Sequence, residues 1–311
     1  MNKGITPYLF GHPNGPPQSV SCFKLSEIAR AQYTSSLQMN SPTNFLNHKR
    51  PLVLAHRGAS AVAPQNTLAA FKKAMELGAD GVELDVQLSA DGVPVVIHDM
   101  TVDTLTDGTG RVAEMSLAQL KELDAGASFD PAFTGERIPT LDEVLEAVGD
   151  TLLLNIELKT YALRDTGLEQ AVLHLVQRHA LGPRALFSSF NPLALRRVKR
   201  LSPTALVGLL YAPELPLPLR KAWLAPLFPH EARHPEHTMV NAAYMAWAHR
   251  RGYRVHTWTV DDAVDMQRLI HLRVDGIITN RPDRLLALLD GDLDNNNDDN
   301  SHDDGNNESA S

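Results

Sequence analysis

The sequence predicts an α/β protein, a TIM (β/α)8 barrel with a small insertion capping the C-terminal face of the barrel. Three observations predict it. From residue 50 onward, strand and helix patterns alternate about eight times over roughly 240 residues, the size of such a barrel. Polar residues able to do chemistry gather at the ends of the strand segments. No glycine-rich phosphate loop opens a helix, which disfavours the runner-up, an open doubly wound sheet.

Residues 1–49 mix Pro, Gly, Asn and Ser with weak periodicity and read as a poorly ordered extension, with one short helix over 23–32. Met39 offers an alternative start. Strands are expected at 51–56, 81–88, 93–98, 151–158, 184–190, 204–210, 237–241, 254–259 and 274–279. Helices are expected at 66–77, 140–148, 166–180, 191–201, 242–251, 261–271 and 281–289. Asn66 or Thr67 suits the first helix as cap, Asn191-Pro192 opens the fourth, and Gly252 closes the helix before 254–259. Residues 99–138 form a turn-rich insertion with one helical piece at 116–123, and 211–236 is Pro-rich with a short apolar helix near 219–227. Residues 50–289 make up the barrel, and the Asn/Asp-rich tail 290–311 is expected to be disordered. Removing either terminal extension is expected to leave activity intact.

The formal charge of −8 is concentrated in the tail. Eight of the 37 acidic residues lie from Asp290 onward, where there is no Lys or Arg, and the remaining 29 balance the 29 basic residues. A near-neutral body gives no sign of a nucleic-acid surface, and no nucleic-acid partner is expected. Cys22 is the only cysteine, so no intramolecular disulfide forms and a reducing compartment fits. Neither a membrane span nor the basic-then-apolar layout of a secretory signal is evident. The expectation is a soluble, cytoplasmic protein without stable membrane association, acting on a small molecule; its oligomeric state is left open.

Within 81–88, Val82, Leu84, Val86 and Leu88 share one face, and Glu83, Asp85 and Gln87 share the other. With both faces covered, such carboxylates need a cation or a proton. Residues 152–159 repeat the alternation, directing Asn155, Glu157 and Lys159 the same way. Three oxygen donors suit Mg²⁺ or Ca²⁺, with Mn²⁺ also possible, rather than zinc. The competing explanation is a buried ion-pair network, Glu157 with Lys159 or Arg57. His56 and His98 end the strands on either side of the acidic pair, a natural acid and base, and Arg57 offers a bidentate grip on phosphate. Metal-assisted chemistry on an anionic substrate follows.

Ten segments occur in order: HRGAS, PQNTLAAF, GADGVELDVQLSADGVPVVIHD, TDGTGRV, LDAG, IPTLDEVL, NIELK, SSFNP, GYRVHTWTVD and GIITNRPD. Together they resemble the glycerophosphodiester phosphodiesterase family, cytoplasmic bacterial type, over about 51–289. The resemblance implies a TIM barrel that uses a divalent cation to hydrolyse glycerophosphodiesters to sn-glycerol 3-phosphate and an alcohol. By matched position it implies that His56 and His98 are the acid–base pair and that Glu83, Asp85 and Glu157 are metal ligands. Arg57 and Lys159 match phosphate-side contacts, and Trp258 and Phe190 match pocket aromatics. Two departures stand out. Gln65 replaces the usual Glu before Asn-Thr, and Thr104 replaces an Arg common in the insertion.

Other features read as ordinary. His230, His234 and His237 are expected in a solvated loop, His249 as structural. The segment 290–301 fails as a calcium loop, having Asn295 and Ser301 where Gly and Glu are needed. Two alternatives to the hydrolase stand: lysophospholipase D action on the same barrel, and a catalytically silent barrel that binds phosphate esters. A glycoside hydrolase would leave His56, Arg57 and His98 unexplained.

Overall fold

Eight short strands run parallel because each is separated from the next by a helix that must cross back over the sheet. They are β1 (Leu52–His56), β2 (Gly81–Leu88), β4 (Leu153–Leu158), β5 (Ala185–Ser189), β6 (Leu206–Tyr211), β7 (Ala232–Pro235), β8 (Arg254–Thr257) and β9 (Gly276–Thr279). Successive strands pair in order, β2 pairs with both β1 and β4, and β9 pairs with β1, so the sheet closes into a barrel. The ninth strand, β3 (Pro94–Val96), hangs antiparallel from the end of β2. The structure, a computed structural model, describes residues 44–299. Expectations for residues 1–43, including the helix at 23–32, Cys22 and Met39, lie outside the described residues, as do those for 300–311.

The covering helices are α1 (Leu68–Glu76), α3 (Leu141–Val148), α4 (Leu168–Arg178), α5 (Pro192–Leu201), α7 (Ala242–Arg250), α8 (Ala263–His271) and α9 (Pro282–Asp299). Their starts follow local chemistry. Thr67 caps α1; Thr140 and Glu143 form a reciprocal capping box on α3; Asn191 with Pro192 opens α5. The outward faces of the strands and the apolar faces of these helices make one continuous core that includes Phe71, Leu84, Ile156, Phe187 and Ile277. Fully burying each such side chain stabilises the fold by about 1.5–3 kcal/mol.

The barrel interior has its own smaller core of Leu52, Leu54, Leu153, Leu186, Ala232 and Ile278, plugged by Phe45. Phe45 is fully buried, so the packed body begins ahead of residue 50, inside the segment expected to be an extension. At the other end α9 runs on to Asp299, past the point where apolar periodicity stops. A helix already nucleated by packing gains one hydrogen bond per residue added.

The strand expected at 237–241 is a correction. The barrel uses Ala232–Pro235 instead, and His237–Met239 forms a 3-10 turn. The segment Ala-Arg-His-Pro carries no apolar signal, yet its register with β6 makes it a wall of the barrel. Its His234 is fully buried, not in a solvated loop. Glycine makes this possible: a Cβ at Gly208 would lie 2.5 Å from His234 Nε2, and one at Gly276 would lie 2.8 Å from His256 Cδ2. The helix expected near 219–227 is a single turn, α6 (Leu217–Arg220). The insertion carries α2 (Leu117–Glu122) and packs Val102, Val112, Leu120 and Ile138 on Val95 and Ile97, a separate core that seats it beside β3.

Candidate active site

At the C-terminal end of the barrel, strand β1 delivers His56, and the chain then turns sharply. Arg57 adopts a left-handed backbone, φ 54°, rare for a residue with a Cβ and costing on the order of 1–3 kcal/mol. The turn is held because Asn66 N–H donates to Arg57 O at 2.9 Å and Arg57 N–H donates to Glu83 Oε2 at 3.2 Å. Histidine and arginine thereby face the same space.

Glu83, Asp85 and Glu157 each offer an oxygen, and the three oxygens lie within 4.8 Å of one another. All three side chains are buried. The Asp85↔Glu157 register between β2 and β4 brings two of them side by side, with Glu83 two residues back on the same face. Burial, then the neighbouring Asp85 and Glu157, push Glu83 well above the usual carboxylate range. Burial pushes Glu157 up to about 7, against the pull of Lys159. Burial also works against Asp85, but Lys159, Arg57, His98 and a hydrogen bond from Asn66 outweigh it, leaving Asp85 below its ordinary value. Lys159 lies 2.9 Å from Glu157, and Arg57 Nε lies 3.2 Å from Asp85. The expected ion-pair network therefore exists, yet two cations face three buried carboxylates, and Asp85 Oδ1 has no hydrogen-bond partner among the described residues. A hard divalent cation fits the negative charge left over.

His56 and His98 flank this cluster. His56 Nε2 lies 3.9 Å from Glu83 Oε2, while Nδ1 bonds Asn280 Oδ1 at 2.7 Å. Burial, then Arg57, lowers His56 to about 4. His98 Nδ1 bonds Asp99 Oδ1 at 2.7 Å; burial lowers its pKa, and Asp85 and Asp99 oppose that. The backbone carrying His98 is pinned by Gln87, whose Nε2 donates to the carbonyls of Ile97, His98 and Asp99 at 3.0, 3.1 and 2.8 Å.

A cavity of about 90 Å³ joins these parts, lined by His56, Arg57, Glu83, His98, Glu157 and Lys159 together with Phe190 and Trp258. Phe190 and Trp258 meet edge-on with ring centres 5.5 Å apart. Every residue the sequence assigned to acid–base, metal or substrate contact thus lies on this cavity or, for Asp85, in the carboxylate cluster beneath it. Gln65 Oε1 accepts from Arg57 Nη1 at 2.5 Å, so the amide keeps the contact without a neutralising charge. Thr104 lines a separate cavity of about 220 Å³ between insertion and barrel. His249 bonds Asp275 at 3.0 Å, away from the site.

The sequence reading missed four supporting residues. Asn66, taken as a possible helix cap, instead donates to Asp85 at 2.9 Å. Asn280 bonds His56 and accepts from Ser60 Oγ at 2.6 Å, and its Nδ2 donates to Asp261 at 2.6 Å. The signal available was position: Asp261 and Asn280 follow the ends of β8 and β9, where such barrels gather functional groups. Among the described residues, no helix is long and apolar enough to cross a membrane.

Comparison with known proteins agrees with this geometry. The glycerophosphoryl diester phosphodiesterase family matches residues 56–284. The chain is 44% identical over 241 residues to a glycerophosphodiester phosphodiesterase of Caldanaerobacter subterraneus, covering 77% of this chain and 98% of that one. A phosphodiesterase of Oleispira antarctica, solved with the product sn-glycerol-3-phosphate, superposes with a TM-score of 0.69 at 32% identity, over 78% of this chain and 97% of that one. A glycerophosphodiester phosphodiesterase of Agrobacterium tumefaciens gives 0.66 at 29% identity, over 77% and 100%. With the matched segment running from the end of β1 past β9 and taking in the whole site, the chain belongs to the glycerophosphoryl diester phosphodiesterase family.

Proposed function

We propose that this chain hydrolyses glycerophosphodiesters to sn-glycerol 3-phosphate and an alcohol. Glu83, Asp85 and Glu157 would hold one divalent cation, Mg²⁺ or Ca²⁺ with Mn²⁺ as a further option, and His56 and His98 would move the protons. The observation that carries this reading is the buried three-carboxylate cluster lying between His56, the last residue of β1, and His98, two residues past β3. When bound, the cation supplies charge neutralisation at the phosphoryl oxygens.

The two imidazoles suit different tasks. His56, half-buried and holding Asn280 through Nδ1, has Nε2 free to accept a proton from the nucleophile as its bond to phosphorus forms. His98, with the Asp99 carboxylate on Nδ1 to support an imidazolium, gives its Nε2 proton to the alcohol oxygen as the ester bond to phosphorus breaks. Arg57 and Lys159 would grip the phosphate, while Phe190 and Trp258 wall the pocket. Gln65 leaves more of the Arg57 charge for that grip than a glutamate would.

A second reading, lysophospholipase D action, is favoured by one observation. Met100, Phe129, Tyr161, Leu163, Leu217 and Trp223 are exposed large apolar residues in the segments that follow the C-terminal ends of β3, β4 and β6, and Phe129 lines a cavity with His56 and Arg57. The test is product analysis. Glycerophosphocholine should yield sn-glycerol 3-phosphate and choline, with lysophosphatidylcholine turned over more slowly. Faster turnover of the acylated substrate would select the second reading, and no turnover of either by folded, metal-supplied protein would refute both.

A further inference from the structure

The floor of the cavity holds two polar side chains that the proton and metal chemistry does not use. Asn155 on β4 is fully buried, and neither its Nδ2 nor its Oδ1 has a hydrogen-bond partner among the described residues. Ser188 on β5 is equally buried, and its Oγ is likewise without a partner. Both line the same 90 Å³ chamber as His56, Glu83, Glu157 and Lys159. Asn155 sits in register with Glu83, and Ser188 in register with Glu157, so both point inward beside the carboxylates. Burying polar atoms without partners is unfavourable, and in a cavity wall it marks a group that a ligand completes.

We propose that Asn155 and Ser188 form a hydroxyl-recognition subsite that receives the diol end of the glycerol moiety. The proposal rests on the hydrolytic reading given above. Chemistry selects the ligand. An amide offers a donor and an acceptor from one side chain, and a serine hydroxyl offers both from one atom. A metal cation would use Oδ1 and leave the Nδ2 protons unpaired; a phosphate would use Nδ2 and leave Oδ1 facing negative charge. A hydroxyl both donates and accepts, so vicinal hydroxyls satisfy all three atoms. Leu210 and Ile278, which line the same chamber, suit the carbon skeleton.

Size orients the substrate. The inner chamber of about 90 Å³ suits a three-carbon polyol, whereas a wider cavity of about 500 Å³ opens on the other side of His56 and Arg57, lined by Phe129, Arg281 and Arg284. Glycerol lies inward and the leaving alcohol outward. His234 Nδ1 and His256 Nε2 are also without partners, but neither residue lines the chamber, so they take no part.

The test compares glycerophosphocholine with 3-hydroxypropyl phosphocholine, which lacks the C2 hydroxyl, on the full-length metal-supplied enzyme. Wild type should prefer the glycerol ester by on the order of 10–10²-fold in kcat/KM, because the ester without the C2 hydroxyl leaves a buried polar group unpaired. Asn155→Ala and Ser188→Ala should each raise KM for the glycerol ester about tenfold and shrink the preference, because the hydroxypropyl ester, which keeps one of the two hydroxyls, loses less. Asn155→Ser serves where Asn155→Ala fails to fold. Competitive inhibition by sn-glycerol 3-phosphate against propyl phosphate should lose its selectivity in step. Folded variants that keep the full preference, with only a lowered Tm, would overturn the subsite while leaving the hydrolytic reading intact. Wild type that hydrolyses neither ester would overturn the reading on which the subsite rests.

Discussion

His56 Nδ1 donates a hydrogen bond of 2.7 Å to Asn280 Oδ1, across 224 residues of sequence. The direction follows from the other end of the amide. Asn280 Nδ2 donates to Asp261 Oδ2 at 2.6 Å, while Asp261 Oδ1 accepts from the Asn280 backbone N–H at 2.8 Å and from Thr279 at 3.0 Å. With the amide so oriented, only its oxygen faces the imidazole. The neutral histidine must then carry its proton on Nδ1, and its Nε2 lone pair faces the carboxylate cluster. The strand that closes the barrel thus sets the tautomer of the residue at the end of the first.

Asn280→Ala should therefore lower kcat by on the order of 10–10²-fold, with KM changed less than about threefold, because a proton-transfer geometry is lost rather than a binding contact. Asn280→Asp, which keeps an acceptor, should retain more activity than the alanine variant. Nitrogen NMR of the imidazole reads the tautomer directly. An unchanged tautomer in Asn280→Ala would remove Asn280 from the mechanism.

His56→Ala and His98→Ala should each reduce turnover by on the order of 10²–10⁴-fold, the usual contribution of a positioned acid or base. Metal binding and fold should survive in both, since neither imidazole belongs to the carboxylate cluster. Calorimetric titration with Ca²⁺ checks this. Loss of metal affinity in His56→Ala would overturn the proton-transfer assignment.

Much of the site was legible because it is written in strand periodicity. Glu83, Asp85 and Glu157 fall on inward faces by simple alternation, His56 ends β1, and His98 follows two residues past β3. Residues acting through loops were not legible. Asn280 and Asp261 support His56 by hydrogen bonds between segments far apart in the chain, and their position past strand ends does not tell which residue they serve. Strand β7 escaped notice because Ala-Arg-His-Pro lacks apolar alternation; its wall position comes from pairing with β6 and from the room left by Gly208. Phe45 escaped for a related reason, since a single aromatic in a polar segment carries no periodicity at all.

Phe45→Ala should destabilise the protein by about 3–5 kcal/mol, the range for emptying a buried aromatic site. The kcat of the folded variant should be unchanged, because Phe45 plugs the end of the barrel remote from the carboxylates. Removal of residues 1–49 should lower stability by at least as much. Urea unfolding at pH 7 measures both, and a cost below 1 kcal/mol for Phe45→Ala would show that the plug contributes little.

Acid should weaken the fold through the barrel interior. Burial holds His234 at about 3, and His256, 3.1 Å away, lies well below its ordinary value through burial and then the neighbouring His234. The unfolded chain takes up these protons near pH 6.5 and the folded chain does not. Their contribution is full above pH 6.5 and shrinks as pH falls toward 3. Stability measured between pH 6.5 and 4.5 should fall, with a shallower slope in His234→Asn. An equal slope in the variant would show that the pair does not titrate on unfolding.

Hydrolysis should require a divalent cation held by Glu83, Asp85 and Glu157. Release of sn-glycerol 3-phosphate from glycerophosphocholine is followed after EDTA treatment, then with Mg²⁺, Ca²⁺ or Mn²⁺ restored, for wild type and Glu83→Ala. Release abolished by EDTA, recovered with a divalent cation in wild type and unrecovered in folded Glu83→Ala is the predicted result. Undiminished release in EDTA, or full activity of Glu83→Ala, would contradict it.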